Sequence, residues 1–285
     1  MAEGADPLHR VTDRLYFADE GARVQVSRHA VDGDVGRNEH TFFLAAVVAS
    51  GSAEHEAEGE RVAVGAGQGL LLRPGAWHRW WIQSPVVIWN VAFAARLVER
   101  ELAWLATESA FRRLIWSGPM ASPAGLVRFD LREGDTDDWR DELSRGGDQP
   151  AGPRRIGWLL QWLDRLAAHQ RLPGPAEPLH PGVAAAHRAM EADLPRDWDL
   201  SALASRAHLA PSYFGRLFRR AFGRPPMAYL ARRRAERATE LLAGTEKPMA
   251  TIAAEVGWDD PNYFSRRFRE EIGMSPTQYR ATHLA

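Results

Sequence analysis

Between residues 11 and 93 the apolar residues come in short runs, RVQVS, TFFLAAVVAS, ERVAVG, GLLLR and VVIWNVAF, punctuated by Gly, Asp, Asn and Pro. Runs of that length bounded by turn residues predict the strands of a sandwich or small barrel. After Phe93 the period lengthens. ARLVERELAWLATES reads as a helix with Leu97, Leu102 and Leu105 near one face. RRIGWLLQWLDRLAAHQ, Arg154–Gln170, sets Ile156, Leu159, Leu160, Leu163 and Leu166 at the spacing of an amphipathic helix. The stretch RLPGPAEPLHPG, with four prolines and two glycines in twelve residues, ends that helix and reads as a linker. Everything beyond Gly182 is helical in pattern. The expectation is an α+β chain of two domains, residues 1–170 and 183–285, joined by a linker at 171–182.

The helical part repeats itself. SYFGRLFRRAFGRPPMAYL from Ser212 and NYFSRRFREEIGMSPTQYR from Asn262 match at an offset of 50, pairing Tyr213 with Tyr263, Phe214 with Phe264, Phe218 with Phe268, Gly223 with Gly273, Pro226 with Pro276 and Tyr229 with Tyr279. Upstream, LASRAHL from Leu203 matches IAAEVGW from Ile252 at an offset of 49. A match over two helices and a turn marks a duplicated supersecondary unit. Asp199 is placed to cap the first helix of the first copy. Pro248 suits the first turn of its counterpart, and Gly257 supplies a left-handed turn position. On the second helix of each copy the aromatics fall on one side and arginines on the other. That is a helix anchored by its rings with guanidinium forks facing outward, the element that a DNA major groove admits.

Composition narrows the class. The chain has no cysteine, which removes disulfides, thiolate nucleophiles and Cys-based zinc sites and fits a reducing, cytoplasmic setting. MAEGADPLHRVTDR lacks the apolar core of a signal peptide, and no apolar run approaches the roughly 20 residues of a membrane helix, so a soluble protein off the membrane is expected. No Gly-x4-Gly-Lys-Ser/Thr segment exists, which excludes a P-loop nucleotide-hydrolysing regulator. From Gly182 onward there are 16 Arg/Lys against 12 Asp/Glu, and before it 20 against 25. A basic end on a mildly acidic chain suits an anionic partner for the C-terminal part.

IAAEVGWDDPNYFSRRFREEIGMSPTQYR resembles the DNA-binding domain of the AraC/XylS family of bacterial transcription regulators, with Trp258 where that family usually has Phe. The resemblance implies an all-α domain of two helix-turn-helix motifs joined by a long helix, for which PMAYLARRRAERATELLAG from Pro226 is the match. Carried over position by position, it implies base contacts from Ser212, Gly215 and Arg216 in the first unit and Asn262, Ser265 and Arg266 in the second. Arg219, Arg220, Arg234, Arg267 and Arg269 are then expected at phosphates, which position without specifying. The partner is double-stranded DNA with two major-groove half-sites, expected to be unequal because Gly215 has no side chain to read with.

AVGAGQGLLLRPGAWHRWW from Ala63 has the Gly, apolar run, Pro-Gly and His order of the second cupin motif. It resembles the ligand-binding domain of the same family, a cupin-like barrel with a helical appendage. Alternation then points His78, Trp80 and Ile82 inward. His78, Trp80 and Asn90 are the expected contacts to a small-molecule effector, with a sugar favoured because aromatic faces and amides suit polyols. His40 and His55 do not form the His-x-His pair of metal cupins, so neither metal nor cofactor is expected, and no enzymatic activity. By the same resemblance the Arg154–Gln170 helix would help form a homodimer, the alternative being a helix packed on its own barrel, and RNA polymerase would be a further partner. The alternatives are a cupin-fold metalloenzyme and a helix-turn-helix module that binds only protein.

Overall fold

The computed structural model of the chain describes residues 9–11, 16–17, 23–57, 60–117, 126–133, 138–169 and 179–281. It divides into two compact units, Met1–Leu97 with Ser122–Leu172 and Val98–Ala121 with Pro173–Ala285. Of the stretch expected to be a linker, 171–178 lie outside the described residues, as does Gln170 at the end of the preceding helix.

Among the described residues the first unit has ten strands: β1 His9–Val11, β2 Val24–Val31, β3 Val35–His40, β4 Phe43–Ser50, β5 Ser52–Ala57, β6 Glu60–Gly65, β7 Gln68–Leu72, β8 Trp77–Trp81, β9 Val86–Phe93 and β10 Leu126–Asp130. They form two five-stranded sheets, ordered β1-β3-β8-β5-β6 and β10-β7-β4-β9-β2. Apart from the parallel pair β1 and β3, every pairing is antiparallel. Alternate residues of each strand meet in one core: Ala46, Val48, Leu70, Leu72 and Ile88 from one sheet, and Ala53, Ala57, Val64 and Trp80 from the other. This is the two-sheet β domain expected of the apolar runs, and the cupin-like fold that the family resemblance implied. Helices α1, Trp139–Asp148, and α2, Pro153–His169, belong to this unit. Trp162 of α2 meets Phe129 of β10 edge-on at 6.3 Å, and Trp158 donates from Nε1 to the Glu142 carbonyl of α1 at 3.1 Å. Leu159, Trp162, Leu163 and Leu166 are buried, so most of the apolar face of α2 is covered within its own chain.

The helix expected across ARLVERELAWLATES is not regular. A wide π-type turn, Leu97–Glu101, is followed by a tight 3₁₀ turn, Ala103–Thr107. The leucine spacing gives the reason: Leu97 to Leu102 is five residues and Leu102 to Leu105 three, which suit one wide turn followed by one tight one. All three leucines are buried as a result, while Trp104 stays exposed.

From Pro173 onward the second unit carries seven α-helices among the described residues: α3 Pro181–Ala192, α4 Leu200–Arg206, α5 Pro211–Phe222, α6 Pro226–Gly244, α7 Met249–Glu255, α8 Pro261–Ile272 and α9 Pro276–Ala281. Asp199 caps α4 through Oδ1, which accepts from the Ala202 amide at 2.7 Å. Pro248 sits at the cap of α7, one residue before the helix proper. The two helix-turn-helix pairs are α4–α5 and α7–α8. Gly257 takes φ +89° in the second turn, and His208, its counterpart at the 49-residue offset, takes φ 55°, the one non-glycine residue with positive φ among those described. The same turn is thus built twice, once with the side chain tolerated. Phe214, Phe218 and Phe222 of α5, and Phe264 and Phe268 of α8, are fully buried. Trp258 is buried too and packs on Phe264 with ring centroids 5.7 Å apart, doing the work expected of the family's Phe.

α6 runs between the two pairs with a buried polar seam. Arg233 Nε donates to Glu191 at 3.0 Å and Arg232 Nε to Glu236 at 2.7 Å. Arg234, expected at a DNA phosphate, is instead structural. Its Nε, Nη1 and Nη2 donate to the carbonyls of Leu194 at 2.9 Å, Gly257 at 2.8 Å and Arg196 at 2.8 Å. Burial lowers its pKa, with the nearby acids Asp197 and Asp259 opposing that shift. Three of the five N–H donors of this guanidinium are thus spent on main-chain carbonyls.

A Cβ on Gly257 would lie 2.6 Å from the Pro195 carbonyl and 2.7 Å from Arg234 Nη2, on a backbone that L residues avoid. Gly257→Ala is therefore expected to lower the unfolding free energy by about 2–4 kcal/mol. Gly215→Ala, whose Cβ meets nothing within 4 Å, should raise it by about 0.5–1 kcal/mol. Urea unfolding of the two variants beside the parent checks both.

Candidate nucleic-acid interface and buried histidine chain

The faces of α5 and α8 opposite their phenylalanines hold the residues that sequence singled out. Ser212, Arg216, Arg219 and Arg220 are exposed on α5, and Asn262, Ser265, Arg266 and Arg269 on α8; Gly215 and Arg267 are half-buried. On an α-helix, residues three and four apart share a face, which groups Ser212, Gly215, Arg216 and Arg219 on α5 and Asn262, Ser265, Arg266 and Arg269 on α8. Both helices end in a left-handed glycine, Gly223 and Gly273, whose amides bond the carbonyls of Arg219 and Arg269 at 2.8 Å. Twelve-residue helices with matched ends are thus presented twice.

Their chemistry differs. α5 contains no acidic residue. α8 begins behind Asp260, whose Oδ1 accepts from the amides of Asn262 at 2.7 Å and Tyr263 at 3.2 Å, and it ends in Glu270 and Glu271. Those two glutamates claim Arg267, which pairs with Glu270 and lies 3.5 Å from Glu271. Arg267, expected at a phosphate, is accordingly paired within its own helix. Ser265 Oγ donates to the Pro261 carbonyl at 2.9 Å, so its hydroxyl proton is committed and its oxygen is left as an acceptor.

In the first unit the structure revises two of the three expected effector contacts. His78 lies on the inner side of β8, between His40 of β3 and His55 of β5. His40 Nε2 is 2.8 Å from His78 Nε2, and His55 Nε2 is 3.1 Å from His78 Nδ1. Both ring nitrogens of His78 are engaged, so the ring has none to offer a ligand. Nor do the three imidazoles aim their lone pairs at one point, as a metal would require. Trp80 is core: it is buried, and its ring meets His55 edge-on at 4.7 Å. Asn90 is half-buried on the inner side of β9, directly opposite Ser27 of β2. Sequence reasoning missed its neighbours. Ser27 Oγ is 2.8 Å from His29 Nε2 and 3.3 Å from the Tyr16 hydroxyl. Only the alternation of Ser27, His29 and Val31 on one strand face could have suggested them.

Burial sets the charge of the interior histidines. Each neutral imidazole carries one N–H, so a chain of three linked end to end leaves one N–H and one lone pair over, at the outer Nδ1 atoms of His40 and His55; both atoms lack a hydrogen-bond partner. Burial lowers the pKa of all three, that of His78 to about 4, and the imidazolium form of His78 further opposes a charge on His40 and His55. In the second unit His187 stacks on Phe222 at 4.1 Å and is likewise lowered to about 4, chiefly by burial. Tyr229 gives its single hydroxyl proton to Glu191 at 2.8 Å, so His187 Nε2 is the donor in the 2.9 Å bond to that hydroxyl.

A two-unit chain of this kind, a closed β domain for a ligand and paired helix-turn-helix motifs with arginine-bearing outer faces, is a DNA-binding transcription regulator. It belongs to the AraC/XylS family. The model of the AraC-like ligand binding domain matches residues 24–126, and a helix-turn-helix domain model matches residues 203–282. Among solved structures, ToxT from Vibrio cholerae O395, bound to (E)-4-(8-methylnaphthalen-1-yl)but-3-enoic acid, is similar over 92% of this chain and 99% of its own, at 12% identity and a TM-score of 0.53. That likeness speaks to the fold. The C-terminal domain of AraT, a response regulator from Geobacillus stearothermophilus, is 34% identical over 37% of this chain and 88% of its own, with a TM-score of 0.36. The DNA-binding domain of AdpA, solved with a target DNA, is 29% identical over 35% and 90%, with a TM-score of 0.34. A search of curated protein sequences returns no match. No helix among the described residues is long and apolar enough to cross a membrane.

The buried histidines predict an acid-labile fold. Their folded pKa values lie below the 6.5 of the unfolded chain, so their contribution is complete above pH 6.5 and is lost as pH falls toward 4. Between pH 6.5 and 5, above the carboxylate range, each histidine should cost about 1–2 kcal/mol of unfolding free energy. Urea unfolding across that window should show the decline, and His187→Gln, which keeps a donor for Tyr229, should reduce it.

Proposed function

We propose that this regulator reads an operator of two unequal half-sites, with α5 and α8 in successive major grooves about one helical turn apart. One observation carries the reading: equivalent helices, each pinned by buried phenylalanines, present different side chains at equivalent outer positions. α8 offers an amide, a hydroxyl oxygen and a guanidinium at Asn262, Ser265 and Arg266. α5 offers Ser212 and Arg216 around a bare Gly215, together with Arg219 and Arg220, on a helix that contains no carboxylate of its own. The first helix suits backbone attraction and the second suits base reading. Arg219, Arg220 and Arg269 remain the phosphate contacts.

The effector reading moves to the inner side of β2 and β9. Tyr16, Ser27 and His29 are linked by hydrogen bonds and Asn90 stands opposite Ser27; together they suit a small polar molecule such as a sugar, in place of the buried His78 and Trp80. A homodimer formed through the half-buried Ile156 and Leu160 edge of α2, and contact with RNA polymerase at the promoter, complete the scheme in the cytoplasm.

Selection from a randomised duplex library should return a bipartite site with one better-defined half. Against that site Arg266→Ala should lose about 1–3 kcal/mol at a single base position. Arg219→Ala should weaken all duplexes alike and lower the salt slope by about one. Selection that returns no sequence preference would overturn the proposal.

A further inference from the structure

Four large side chains with apolar surface stay exposed among the described residues, and two of them, Tyr213 at 45% and Tyr263 at 42%, hold the same position in the two repeats. The neighbouring phenylalanines supply the packing, so burial does not account for these rings. Each lies one turn before an arginine. The Arg216 guanidinium stands 5.6 Å from the Tyr213 ring centroid, and that of Arg266 stands 5.3 Å from the Tyr263 centroid. Both distances are within the range of cation–π attraction.

The geometry of that contact is what a base reader needs. A guanidinium attracted to a ring is restricted in where it can point, while its five N–H bonds stay available for hydrogen bonding. A fork that must meet guanine O6 and N7 in one plane loses less entropy on binding if its orientation is already restricted. The first turn of α8, which carries Tyr263, is capped by Asp260 through the Tyr263 amide at 3.2 Å, whereas the cap position of α5 is Ala210, which makes no side-chain bond.

We infer that Tyr213 and Tyr263 are positioning residues that aim Arg216 and Arg266, and that they set base specificity without touching a base. The inference rests on the assignment of those two arginines as base readers. It is tested in the second helix, whose first turn is fixed by the Asp260 cap.

The test is a cycle between protein and DNA. Arg266→Ala first identifies the operator guanine whose replacement by 7-deazaguanine no longer matters. Binding of the parent, Tyr263→Ala, Tyr263→Leu and Tyr263→Phe is then measured by fluorescence anisotropy at fixed salt on the guanine and 7-deazaguanine duplexes. The parent should prefer guanine by about tenfold or more. Tyr263→Ala and Tyr263→Leu should shrink that preference by ~2–5-fold, and Tyr263→Phe should restore it. The salt slope should not change, and the exposed position leaves the unfolding midpoint near that of the parent. Equal weakening of both duplexes by Tyr263→Ala, or failure of Tyr263→Phe to rescue, would overturn the inference while leaving the base-reading assignment intact. If Arg266→Ala alters the response at no guanine, the assignment itself fails and the inference goes with it.

Discussion

The DNA-binding half of this chain depends on one guanidinium. Arg234 sits on the helix between the two helix-turn-helix pairs and holds three main-chain carbonyls, two from the segment before the first pair and one from the turn of the second. Carbonyls at chain turns have no partner from regular structure and need one when buried. Here a single side chain serves all three, in a plane that only arginine provides. Lysine would bring the charge without the fork. Gly257 completes the arrangement, because any side chain there would occupy the space of both the Pro195 carbonyl and Arg234.

Around that fixed point duplication has run in two directions. The inward residues of the repeats have stayed alike: Phe against Phe, Tyr229 against Tyr279, and a left-handed glycine closing each outer helix. Packing density keeps them so, since a core phenylalanine cannot be trimmed without leaving a cavity. The outward residues have parted. One helix holds three arginines and no acid, while the other begins behind an aspartate and ends in two glutamates. Even the turns differ in means, His208 bearing a conformation that Gly257 takes without strain.

What could be read from the sequence follows how local each feature is. Strands, the amphipathic α2, the duplicated unit and the left-handed Gly257 all announce themselves over a few residues. The irregular turns from Leu97 onward do not, because a five-then-three leucine spacing imitates a helical stripe unless both turn types are tried. The histidine chain was visible only as three separate residues; it takes the pairing of β3, β5 and β8 to bring His40, His55 and His78 into line. Alternation correctly turned Trp80 inward, but inward here means the packed core. The role of Arg234 was hidden for a further reason. Family likeness places an arginine at that position, and only the positions of three distant carbonyls show which way it faces.

The tie through Arg234 also bears on how the protein searches DNA. Two readers on a slack linker would each find a half-site, with an effective concentration that varies smoothly with the distance to be spanned. Two readers tied to one buried fork lack that tolerance. When the grooves are spaced to match, seating one helix delivers the other at high local concentration, with no chain entropy left to lose. When they are a base pair out, the second helix gains almost nothing from the first. If the two outer helices read DNA as proposed, the same three hydrogen bonds that hold the fold would act as a gauge of half-site spacing, rejecting sites whose bases are right and whose separation is wrong.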